Sequence, residues 1–108
     1  MSSASIHLEV KICVSGELDL LTAPQIRAEL LALVWATHAR QIVVDLAGVT
    51  FADTTGMQPF EEAQLLLNRA GRNLQLRNVP PSVTRLIRAA GLEDTFDVLS
   101  GGSPSGHG

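Results

Sequence analysis

Between the apolar run QIVVDL and a stretch of helical periodicity, the chain places Asp53-Thr54-Thr55-Gly56: an acid, two adjacent hydroxyls and a glycine. A helix that begins here leaves its first backbone N–H groups without intrahelical acceptors and carries a partial positive charge. Such a junction favours a capping oxygen, or a phosphate that is bound or covalently attached. Thr54 and Thr55 offer hydroxyls at that place, and Gly56 permits close approach to the backbone. A plainer use of the same residues is structural, with a threonine capping the helix and Thr55 and Gln58 forming a capping box.

Other groups with chemical potential are isolated. Asp19 and Asp53 could form a carboxylate pair, but no histidine, nucleophile or metal-ligand spacing accompanies them, so loop capping is the expected role of Asp19. Asp45 ends an apolar strand as the phosphoacceptor of a receiver domain does, yet CVSG after the first strand lacks the acidic pair that would hold Mg²⁺. His7, His38 and His107 stand far apart, which argues against a metal site. No GxxxxGK[ST] phosphate cradle is present. Arg69 with Arg72, and Arg85 with Arg88, fit solvated helix faces. An enzyme is therefore the last choice, and no cofactor is expected.

The elements that must position the Asp53–Gly56 knot alternate in type. IHLEVKICVS, residues 6–15, alternates apolar and polar like a half-buried strand, with Cys13 expected inside and a turn over GELDLLT. Thr22 and Gln25 have capping-box spacing, and Ile26, Leu30, Leu33 and Val34 make one stripe of a helix over 23–37, with Trp35 packing at its end. The β-branched run 41–46 suits a central strand covered on both faces. In a second helix over 55–70, Met57, Phe60, Ala63, Leu67 and Ala70 follow helical spacing; NLQLRNV is a strand; Pro81 opens a helix that Gly91 stops; and TFDVLS supplies a last strand. Strands alternating with helices imply parallel crossovers, with the first strand added antiparallel at an edge or hairpin. The fold class is thus α/β: one domain over 1–99 with a small mixed sheet and three to four helices, followed by a disordered tail, 100–108.

The 108 residues suffice for a core without metal or disulfide staples, and Cys13 has no partner for an internal disulfide. The net charge of −3 conceals a dipole: residues 1–62 hold eight acids and three bases, whereas 69–88 hold five arginines and no acid. Aromatic residues make up only 4% of the chain, too few for base-stacking platforms, so nucleic acid is not an expected partner. No apolar run reaches the roughly 20 residues needed to span a bilayer. The expectation is a cytoplasmic protein without a membrane partner.

Three stretches, SGELDLLTAPQI, IVVDLAGVTFADTTGM and NLQLRNVPPSVTRLIRAAGLEDTFDV, resemble the STAS family of anti-sigma factor antagonists over about residues 6–99. The signatures that match are the Gly16-Glu17-Leu18-Asp19 turn, Asp45-Leu46 followed by Phe51 and Asp53, and the Pro81-to-Gly91 helix leading into Leu92. The family loop commonly reads Asp-Ser-Ser-Gly, and its first serine accepts phosphate from an anti-sigma factor that is also a kinase. The resemblance implies that Thr54 is the phosphoacceptor, Asp53 the family acid, Thr55 the second hydroxyl and Gly56 the glycine. Both serines are threonines here, and Pro59 and Phe60 depart from the small or aliphatic residues common in the family.

The resemblance further implies an anti-sigma factor antagonist that binds an anti-sigma factor with serine/threonine kinase activity, releases a sigma factor, and is switched off by phosphorylation at Thr54. Its contact surface would comprise Gly16, Glu17, Asp19 and Thr22 of the turn, Asp53, Thr55 and Gly56 of the loop, and Met57 at the start of the helix. ATP and Mg²⁺ would belong to the kinase, and a phosphatase would reset the switch. A phosphorylation-independent STAS scaffold and a small-molecule or nucleotide sensor are the alternatives.

Overall fold

The computed structural model describes residues 9–99, so the expected tail and the start of the first strand lie outside the described residues. Four strands and three helices alternate: β1 (Glu9–Leu18), α1 (Ala23–Ala36), β2 (Gln41–Ala52), α2 (Thr54–Arg69), β3 (Asn73–Arg77), α3 (Pro81–Ala89) and β4 (Asp97–Leu99). The sheet order is β1-β2-β3-β4, and every neighbouring pair is parallel. The α/β class is as expected, whereas the antiparallel placement of the first strand is not: β1 lies parallel to β2, with Glu9 opposite Gln41 and Leu18 opposite Ala52. The antiparallel component expected of a mixed sheet is not found among the described strands.

Sequential order with same-handed crossovers puts the three helices on one face of the sheet. Ile26, Leu30 and Val34 of α1, Phe60, Ala63 and Leu67 of α2, and Val83 and Ile87 of α3 join Ile42, Val44, Leu46, Leu74 and Leu76 in one core. The alternate strand positions form a second, polar face. There Arg77 binds Glu9 at 2.7 Å, Asn73 reaches Gln41 and Asp97 at 3.0 Å each, and Lys11 stands 3.6 Å from Asp45. Val43 is fully buried on this face although it lies outside the main core, because Lys11 and Gln75 flank it in register. β2 is thus covered on both faces as expected, by helices on one and by long polar side chains on the other.

The same parity corrects two further expectations. Val10 and Ile12 pair across to the core-facing Ile42 and Val44, which turns Cys13 to the polar face beside Asp45 and leaves it exposed. Trp35 is 73% exposed, because Val34 takes the core position and the next residue points about 100° around the helix.

Candidate functional site

β2 runs six residues beyond the expected Leu46, and this extension carries the Asp53–Gly56 knot. Past Asp45 it pairs only with β1, and the register shifts twice, between Cys13 and Ser15 and between Gly16 and Glu17. Gly16, at φ 83°, makes the second irregularity. Gly16, Glu17 and Leu18 thus belong to the strand, not to the turn predicted for them, and the turn proper is Asp19–Thr22.

That turn is closed by its own side chains. Asp19 Oδ1 accepts from the N–H groups of Leu21 at 3.0 Å and Thr22 at 3.1 Å. The Thr22 hydroxyl accepts from Asp19 N–H at 3.0 Å and donates to the Glu17 carbonyl at 2.7 Å. With its hydroxyl turned back into the loop, Thr22 makes no side-chain cap on α1, and Gln25 pairs with Glu29 instead. The Thr22–Gln25 capping box is not formed.

Asp53 caps α2: its Oδ1 accepts from Gly56 N–H at 2.9 Å. Neither threonine is the cap, so the Thr55–Gln58 box also gives way. The knot is fastened to the turn by Asp53 N–H, which donates to the Leu18 carbonyl at 2.9 Å, and by Gly56, which is buried against the Leu18–Asp19 backbone. A Cβ added at Gly56 would lie 2.0 Å from the Leu18 carbonyl atoms, so the close approach is made by the chain itself. Met57 is completely buried in the core.

What remains at the surface is Thr54, exposed at the first position of α2, and Thr55, half-buried at the second. Glu17 is exposed, and Asp19, Thr22 and Asp53 are half-buried. The turn and the loop are thus brought together as the sequence suggested, but Gly56 and Met57 support the surface from behind. Farther along α2, Glu62 takes Arg27 of α1 in two hydrogen bonds of 2.7 and 2.9 Å. That pairing lowers the carboxyl pKa and raises that of the guanidinium.

Asp45 lies away from the knot. Its oxygens accept from Ala47 N–H and from the Asn78 side chain, each at 2.9 Å, and these bonds, with Lys11 nearby, hold its pKa below the ordinary carboxylate value. It fastens β2 to the bend after β3, where Asn78 adopts φ 53°. Among the described residues, no group of three or more histidines, cysteines, aspartates or glutamates is placed to hold a metal ion, and no helix is long and apolar enough to cross a membrane.

The order of strands, the capped loop at the head of α2 and the turn fastened to it can be compared with known proteins. The family model described as "Mlab, STAS domain" matches residues 4–100. The chain belongs to the STAS domain family. It is 34% identical over 93 residues to the anti-sigma-B factor antagonist of Staphylococcus epidermidis, covering 86% of this chain and 83% of that one. It is 28% identical over 90 residues to the protein of the same name from Bacillus subtilis strain 168, covering 83% and 81%. Among solved structures, an anti-sigma factor antagonist from Mycobacterium paratuberculosis superposes with a TM-score of 0.74 at 26% identity, over 84% of this chain and 76% of that one.

Two structural residues of this STAS domain escaped the sequence reading. Gln64 is buried on α2; its oxygen accepts from Leu74 N–H at 2.9 Å and its nitrogen donates to the Thr95 carbonyl at 3.0 Å. Arg72, expected on a solvated face, turns inward and donates to the carbonyls of Ala39, Thr37 and Val34 at 2.7, 3.0 and 3.3 Å. A polar residue on the apolar stripe of α2 was the one available hint of the first. Nothing local marks the second.

Proposed function

We propose that this STAS domain is an anti-sigma factor antagonist: it binds an anti-sigma factor and thereby releases a sigma factor, and phosphate on Thr54 ends the binding. The observation that carries this reading is the placement of Thr54, exposed at the head of α2 on a loop pinned from behind by Asp53 and Gly56. The names of the relatives that match most of the chain support the partner class. The contact surface is Glu17, Asp19 and Thr22 together with Asp53, Thr54 and Thr55, while Gly16, Gly56 and Met57 hold its shape. The partner supplies kinase activity with its own ATP and Mg²⁺, a separate phosphatase resets the switch, and the domain itself catalyses nothing.

Phosphorylation adds about −1.5 to −2 charges at neutral pH. The helix N-terminus stabilises that charge locally, so the domain stays folded. Across an interface matched to a neutral hydroxyl, and beside Asp53, the phosphate brings bulk and like-charge repulsion. The test is a calorimetric titration against purified GHKL-type anti-sigma factors of the same genome, with mass spectrometry after incubation with ATP and Mg²⁺. Thr54→Ala is expected to keep binding and lose phosphate incorporation. Thr54→Glu should bind at least about tenfold more weakly, a loss of about 1.4 kcal/mol, and Thr55→Ala should still accept phosphate. Equal affinities for wild type, Thr54→Ala and Thr54→Glu would instead favour a phosphorylation-independent scaffold.

A further inference from the structure

Beside Thr54, the N-terminal halves of α1 and α2 enclose an open groove of about 380 Å³. Leu20 and Pro24 line one wall, Thr55 and Pro59 the other. Leu20 is 69% exposed, and the hydrogen-bonded Asp19–Thr22 turn fixes its backbone in that position. An apolar side chain fixed in water by a rigid turn loses no further backbone entropy when a partner covers it.

The second wall has an unusual acceptor. Pro59 is the sixth residue of α2 and has no N–H to donate to the carbonyl of Thr55, its partner four residues back. The Thr55 carbonyl is left without its helical donor, and Thr55 and the largely buried Pro59 both contribute to the groove wall. The charge along the same helix is negative. Arg27, the cation lining the groove, is engaged by Glu62 through both carboxylate oxygens. Beyond Gln58 and Glu62, an adjoining groove is lined by Glu61 and Asp94, neither of which has an ion-pair partner among the described residues.

We infer that this groove receives a segment of the anti-sigma factor that carries one apolar side chain flanked by lysine or arginine. The apolar side chain packs between Leu20, Pro24 and Pro59; a flanking cation or N–H donates to the Thr55 carbonyl; and Glu61 attracts the basic flank. The inference rests on the proposed function and extends the contact surface from the Thr54 loop into the cleft between α1 and α2. It also gives Pro59, which departs from the family pattern, a role in recognition.

The test uses the full chain and the purified anti-sigma factor that binds it, titrated at two salt concentrations, with circular dichroism as a check of folding. Leu20→Ser is expected to weaken binding about tenfold, as the loss of a central apolar anchor does. Pro59→Ala, which restores the helical hydrogen bond, should weaken it about fivefold while helicity is kept. Glu61→Gln should flatten the salt dependence. Trp35→Ser, an equally exposed apolar side chain at the far end of α1, should bind within about twofold of wild type. Wild-type affinity for folded Leu20→Ser and Pro59→Ala, or an equal loss on Trp35→Ser, would overturn the groove while leaving the antagonist reading intact. Failure of the wild-type chain to bind any of the anti-sigma factors would overturn both.

Discussion

Gly56 occupies the third position of α2, where glycine is less favourable than alanine by about 0.5–1 kcal/mol. It is needed because a side chain there would meet the backbone of Leu18 and Asp19 at 2.0–2.6 Å, and backbone cannot step aside as a flexible side-chain end can. Gly56→Ala is therefore expected to lose about 1–3 kcal/mol, the range for overpacked sites, read as a lower denaturant midpoint. The sequence alone placed Gly56 on the contact surface as a point of close approach; with Gly56 buried against the chain's own backbone, a larger residue lowers stability first. Thr54, two residues earlier and exposed, follows the opposite rule: Thr54→Glu weakens binding and leaves the melting temperature nearly unchanged.

At the scale of elements, two side chains join segments distant in the sequence. Arg72 gathers three carbonyls at and beyond the C-terminal end of α1, where a cation also opposes the negative end of the helix dipole. Arg72→Ala should lower stability by about 2 kcal/mol, and lysine should recover only part, since an ammonium cannot reproduce the fork of three donors. Gln64 links α2 to β3 and to the residue before Phe96. Gln64→Leu keeps the volume but strands the Leu74 N–H and the Thr95 carbonyl, at an expected loss of about 2 kcal/mol. Hydrogen exchange at Leu74 should accelerate in that variant. A midpoint unchanged by Gln64→Leu would show that water replaces the side chain without loss.

Over the whole molecule, pH acts through carboxylates whose folded pKa lies below the unfolded value. Asp45, held down by Ala47 N–H and Asn78, and Glu62, held down by Arg27, both behave this way. Their stabilisation is complete above the unfolded values near about 4. It is lost as pH falls through the depressed folded values, because the unfolded chain then binds protons more readily. Stability should accordingly be flat near neutrality and decline below about pH 4, with a shallower decline in Asp45→Asn. The measurement is the denaturant midpoint of both proteins as a function of pH. Parallel curves for the two would remove Asp45 from this account. Because Glu62 and Arg27 are well exposed, added salt should erode their share first.

Element types and the position of the knot were determined by the sequence itself, since they rest on local signals. The periodicities of Ile26, Leu30 and Val34, and of Phe60, Ala63 and Leu67, describe helices wherever those segments lie. An acid and two hydroxyls before a helix mark its N-terminus, and the family resemblance came with them. Tertiary structure alone decided which face each residue took and which chain segment lay beside it. The parallel register of β1 on β2 turned Cys13 outward, and one-sided helix packing left Val43 under polar side chains rather than under a helix. Asp53 prevailed over both threonines as the cap because Gly56 had to lie against the Leu18–Asp19 backbone. Arg72 turned inward because the carbonyls it satisfies are some 33–38 residues away along the chain. Such pairings depend on long-range contacts that no window of neighbouring residues encodes, whereas helical and strand periods repeat within every few residues.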